Sequence, residues 1–190
     1  MKKLISATTL VVSALALSGC VQTVAQNAIP TPATTVATQG GSISANGLRQ
    51  FPTTISGGDG FQANPTNDAS FATLINAVRA DANAAPLAFN QLLDNAAQSH
   101  SKDMLATGNF SHTGTGNTDV GARATAAGYV WTAIGENIAK GQTNENIAMN
   151  GWVNSPLHQA NNINPVFKEF GLARAGSGAN TYWTLVFGAR

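Results

Sequence analysis

The sequence predicts an α+β domain in which helices and antiparallel strands share one core. Phe71, Leu74, Ile75 and Val78 fall at i, i+3, i+4 and i+7, the stripe of an amphipathic helix. A second apolar face follows at Leu92, Leu93, Ala96, Ala97, Met104 and Leu105. The period then changes. Residues 167–175 and 181–187 are short β-rich runs separated by Gly176-Ser177-Gly178, the pattern of a closing hairpin.

The chain starts with a different kind of signal. Lys2 and Lys3 precede an apolar run from Leu4 through Leu17, which gives way to Ser18 and Gly19. Charge, apolar run and small residues in that order make a secretory signal peptide over residues 1–19, read by the general export route. The run holds 14 residues, and at ~1.5 Å per residue it stops short of a ~30 Å hydrocarbon core. Leu17-Ser18-Gly19-Cys20 resembles the bacterial lipobox, which implies cleavage before Cys20 and lipid on that cysteine. Cys20 is the sole cysteine, so a disulfide within the chain is excluded. Each buried acyl CH₂ contributes roughly 0.8 kcal/mol, and a multi-chain lipid would hold the membrane as a lasting partner. Val21, rather than Asp, follows the cysteine, which by resemblance to the sorting pattern of enteric-type bacteria points to the outer membrane, facing the periplasm or the cell surface.

Residues 20–67 read as the lipidated cysteine followed by a flexible linker, rich in Thr, Ala, Gly, Ser, Gln and Asn and broken by Pro30, Pro32, Pro52 and Pro65. Roughly 45 such residues have a root-mean-square span of ~40 Å. The alternative is an ordered extension packed through Leu48, Phe51, Ile55 and Phe61. The domain itself is placed at residues 68–190. Asp68 or Ser70 can cap the first helix, and a second starts near Asn90 and finishes at Gly108. A short helix is expected over residues 119–127, a β-prone segment at 129–139 and a further helix at 144–153. Asn161-Asn162-Ile163-Asn164-Pro165 reads as a turn-rich surface loop with no chemistry assigned.

Composition excludes one class of partner. Loss of Lys2 and Lys3 leaves eight basic side chains against nine acidic ones, with no basic cluster among them. A row of phosphates has nothing to bind, so nucleic acid is not expected as a partner.

Three residues carry the candidate chemistry. His112 stands in Asn109-Phe110-Ser111-His112, Glu136 in Gly135-Glu136-Asn137-Ile138-Ala139, and His158 in Ser155-Pro156-Leu157-His158. Neutral imidazole ligates transition metals and moves protons near pH 7, and a carboxylate completes a metal site or orients a ring. Brought together they would form a polar cleft, with His112 and His158 as candidate ligands for zinc or another divalent metal. Their wide spacing is no local ligand motif, and each has a structural alternative: a histidine that pins a loop, a glutamate that caps backbone amides. His100, seven residues after Leu93 and four before Met104, reads as a packed or hydrogen-bonded core histidine. Trp131, Trp152 and Trp183 read as core residues before they read as a ligand wall.

Taken together with Trp152 and with Tyr182-Trp183-Thr184-Leu185-Val186-Phe187-Gly188, these words resemble the bacterial branch of the CAP superfamily, also called SCP domains, in matching order over about residues 70–190. The resemblance implies an α-β-α sandwich with a small antiparallel sheet between helical layers, and a polar cleft of two histidines and two glutamates. His112 and Glu136 match the first of each. Ser155 stands where the second glutamate is expected and Thr181 where the second histidine is expected, while His158 belongs to a Ser-Pro-x-His word of bacterial members.

The functional expectation is a lipid-anchored envelope protein whose domain binds a small apolar, lipid or wall-derived ligand without turning it over. The alternatives are a metal-assisted hydrolase with Glu136 as base, and a structural envelope protein. No residue is assigned a catalytic role; Ser111 and Ser155 are conceivable nucleophiles in no activating word.

Overall fold

The structure is a computed structural model that describes residues 69–190 in full, together with the backbone of three short N-terminal strands, β1 (Val21–Val24), β2 (Ser42–Ile43) and β3 (Arg49–Gln50). The leader, Cys20, Leu48, Phe51, Ile55 and Phe61 lie outside the described residues. Helix α1 (Ala69–Asp81) leads through β4 (Ala88–Phe89) into α2 (Gln91–Thr107), followed by α3 (Val120–Ala126) and β5 (Ala133–Lys140). Helices α4 (Glu145–Val153) and α5 (Pro156–Asn162) precede the closing strands β6 (Glu169–Ala175) and β7 (Tyr182–Ala189). No helix among the described residues is long and apolar enough to cross a membrane.

One sheet of order β1-β5-β7-β6-β4 runs through the middle. The β6–β7 hairpin forms as expected, and β7 also pairs antiparallel with all of β5. The outer strand β1 lies within the stretch read as linker, where its backbone lines the edge of β5 with Val21 opposite Asn137.

Side chains alternate across this sheet, and the two faces meet different helices. Trp183, Leu185 and Phe187 of β7, with Phe170 and Leu172 of β6, join Phe71, Leu74, Ile75 and Val78 of α1 and Met149 and Trp152 of α4 in one core. On the other face Val186 and Ala173 meet Leu93, Ala96 and Ala97 of α2 and Val120 and Ala124 of α3. The helices therefore form two layers around the sheet, as the α-β-α reading requires. Helix α2 lies so close that a Cβ on Gly171 would overlap the backbone of Leu93 and Asp94. Asn90 caps α2 by accepting from Leu92 and Leu93 amides, and Gly108 ends it in the left-handed region, φ 71°.

Two expectations are corrected. The segment read as a surface loop starts inside a helix: α5 opens with Pro156 in its first turn and carries Asn161 and Asn162 fully into the interior. Asn161 Nδ2 donates to Asn137 Oδ1 at 2.9 Å, Asn137 Nδ2 donates to Asn162 Oδ1 at 3.0 Å, and the Asn162 carbonyl accepts from Arg79. A buried amide is tolerated when it is hydrogen-bonded, so these asparagines cross-link the α5 layer to β5. The tryptophans also divide: Trp152 and Trp183 are core, whereas Trp131 is only partly buried against the α2–α3 side.

Candidate functional site

The alternation along β5 decides which candidates meet. Ile134, Glu136 and Ile138 face the α2–α3 layer, while Gly135 packs on Phe167 and Asn137 turns to α5. Glu136 thus enters the interior beneath α2 and α3, with no exposed surface. The loop after α2 brings His112 over it, and the His112 Nδ1–H donates to Glu136 Oε1 at 2.7 Å.

Two residues that the sequence reading left out of the site complete it. Arg123, on the buried stripe of α3 with Val120 and Ala124, donates from Nη2 to Glu136 Oε2 at 2.7 Å and to the His112 carbonyl at 3.1 Å. Its Nη1 reaches the Thr118 carbonyl at 2.8 Å. The signal in the sequence was a single charge on an otherwise apolar helix face, which demands a buried counter-charge. His100 is buried, as expected of a core histidine, and Nε2–H donates to the Ser111 carbonyl at 2.9 Å. Yet that same nitrogen lies 3.8 Å from Glu136 Oε1, so His100 borders the cluster.

Electrostatics follow from this enclosure. Burial alone would raise the Glu136 carboxyl, but the His112 hydrogen bond and the charge of Arg123 outweigh it and hold the group below its ordinary 4.5. Burial pushes His100 below 6.5, against the pull of Glu136. Three ring or guanidinium nitrogens in the cluster, His100 Nδ1, His112 Nε2 and Arg123 Nε, are buried without a hydrogen-bond partner.

His158 does not join His112 and Glu136. It sits on α5, against the Asn137 side of the sheet, where its Nδ1 meets Ser155 Oγ at 2.7 Å and its carbonyl accepts from Asn137. Because adjacent residues of a strand point to opposite faces, Glu136 and the Asn137-side helix cannot share one cleft. The expected His112, Glu136, His158 cleft is therefore replaced by His112, Glu136, Arg123 and His100.

Glu136 itself is not free to ligate a divalent metal. Both Glu136 oxygens are engaged, one by an imidazole N–H and one by a guanidinium that already supplies positive charge. Among the described residues no three His, Cys, Asp or Glu side chains are placed to hold a metal ion.

Comparison with known proteins agrees with this architecture. The chain is 32% identical over 114 residues to the protein YkwD of Bacillus subtilis (strain 168), across 60% of this chain and 44% of that one. An extracellular protein containing an SCP domain from Bacillus anthracis str. Ames superposes with TM-score 0.58 at 29% identity, covering 64% of this chain and 39% of its own. An outer surface protein from Borrelia burgdorferi has the same fold at TM-score 0.57 and 22% identity, covering 64% of this chain and 90% of its own. The chain spans less than half the length of the two Bacillus proteins. Residues 72–187 match the model of the CAP, cysteine-rich secretory protein family, and the chain belongs to that family.

Proposed function

We propose that the protein is a lipid-anchored envelope module whose CAP domain binds a small ligand, apolar, lipid or wall-derived, without turning it over. The observation that carries this reading is the state of Glu136: fully buried, with both oxygens in charge-assisted hydrogen bonds to His112 and Arg123. A general base needs a free lone pair within reach of substrate, and a metal ligand needs an oxygen not already bound to a cation. Here the carboxylate instead ties the loop after α2 to α3 and β5. Anchoring is supported by Leu17-Ser18-Gly19-Cys20, and outer-membrane placement by Val21. The Bacillus anthracis and Borrelia burgdorferi proteins, described as extracellular and outer surface, are consistent with an address outside the cytoplasm.

A second reading, hydrolysis, has one observation in its favour. Ser155 Oγ lies 2.7 Å from His158 Nδ1, the distance of a nucleophile and its base.

Native mass spectrometry of the full chain, made in a bacterial envelope and released in mild detergent, tests both. The expected spectrum shows cleavage before Cys20, an acyl mass abolished by Cys20→Ser, and an organic adduct on the folded domain. A metal lost from His112→Ala would overturn the reading that Glu136 and His112 only tie the fold together. Turnover of peptide or glycan that disappears in Ser155→Ala would replace binding by catalysis.

A further inference from the structure

Between α2 and α3 the surface sinks into a groove of about 400 Å³, open on one side. Its volume lies in the roughly 300–1,000 Å³ range of small-ligand sites. Hydrogen-bonding side chains line it: Asn95, Ser99 and Asp103 from α2, Thr115 and Thr118 from the following loop, and Arg123 from α3. Alanines of both helices supply the rest of the wall. No large apolar side chain lines it, so an acyl chain would find little to pack against.

Charge narrows the choice. The Arg123 guanidinium is neutralised by Glu136, and Asp103 keeps its carboxylate, held below the ordinary 3.8 chiefly by the Thr115 hydroxyl at 2.5 Å. An anion would therefore meet net repulsion. What remains is a ligand with many neutral hydroxyls and a small apolar face. Asp103 Oδ2 and Thr118 Oγ1 close around Gly114, so a carboxylate and a hydroxyl stand together along the loop side of the groove.

We infer that the α2–α3 groove is a saccharide site, taking a neutral sugar with the carbon face of its ring against the alanines and its hydroxyls toward Asp103 and Thr118. This rests on the binding reading above and names its ligand class and its place.

The test is an amide NMR titration of the full chain in detergent with two neutral probes, the N-acetylglucosamine disaccharide, which has the N-acetylhexosamine of wall glycan without a carboxylate, and maltose. Saturable shifts confined to α2, α3 and residues 113–118 with either sugar support the site, and the tighter sugar identifies the source. Ala122→Trp fills the groove from an exposed helix position and is expected to weaken binding about tenfold or more with the melting temperature unchanged. Shifts elsewhere, binding indifferent to Ala122→Trp, or groove shifts seen with a fatty acid and neither sugar would overturn the inference while leaving a binding module. If the wild-type chain retains neither sugar, lipid nor envelope adduct, both readings fall together.

Discussion

Arg123 Nη2 lies 2.7 Å from Glu136 Oε2, with the guanidinium side chain 5% exposed and the carboxylate not at all. A pair so enclosed is a weak source of net stability but a costly thing to break, because the survivor is left as an uncompensated buried charge. Glu136→Gln keeps the shape and removes the charge, and is expected to cost about 3–5 kcal/mol in urea unfolding. Adding Arg123→Met to Glu136→Gln is expected to recover part of that loss. A double variant that loses as much as the two singles added together would mean that Arg123 acts independently of Glu136.

Acid is expected to weaken the fold through two groups with the same sign. His100 is held below 6.5 by burial, so below that pH the unfolded chain takes up a proton that the native ring refuses, and stability falls. Glu136 is held below 4.5, so its contribution is present above that value and is lost as pH drops through the lower native one. The urea midpoint should therefore be flat from pH 8 to about 7, then decline below about 6.5 and again below about 4.5. His100→Gln retains an N–H for the Ser111 carbonyl and should remove the upper step only. An unchanged upper step would exclude His100 as its source.

Much of this arrangement was legible where the period of burial is local. Phe71, Leu74, Ile75 and Val78 all bury as the helical stripe demands, and the hairpin closes as expected. At the end of α2 Met104 stays buried against Ile138 and Tyr182, while its neighbour Leu105 is 40% exposed. The site was legible as words but not as a place. His112 and Glu136 lie 24 residues apart, and only strand alternation reveals that Glu136 faces α3 while His158 lies across the sheet. Helix α5 was hidden by polarity: its inward residues are asparagines that satisfy one another, so no apolar stripe marks them.

Arg79 offers a sharper test of that hidden polar layer. Wholly buried on α1, it donates to the carbonyls of Ala85, Asn162 and Asn164 at 2.6, 2.8 and 3.0 Å, tying α1 to the end of α5 and the turn after it. Burial lowers its pKa, with no carboxylate among these partners. Arg79→Met fills similar space but leaves those carbonyls unpaired, each costing about 1–3 kcal/mol. A total loss of about 3 kcal/mol or more is expected, with hydrogen exchange accelerated first in α5. Uniform acceleration across the domain would show that the layer is not a separate unit.

Two glycines in regular elements predict opposite outcomes for the same change. At Gly171 a Cβ would run into the backbone of Leu93 and Asp94, so Gly171→Ala must push α2 off β6. Backbone cannot swing aside as a side chain does, and overpacking of this kind costs about 1–3 kcal/mol or more. Gly151 sits exposed within α4, where a Cβ meets nothing within 4 Å. There the methyl only removes conformations from the unfolded chain, and Gly151→Ala is expected to stabilise by about 0.5–1 kcal/mol. Because α2 also forms one wall of the groove, Gly171→Ala should disturb any ligand bound there, whereas Gly151→Ala, on the opposite layer, should leave it untouched. Thermal melts with and without sugar measure both effects at once. Equal loss of binding in the two variants would mean that the groove does not depend on the spacing of α2 from the sheet.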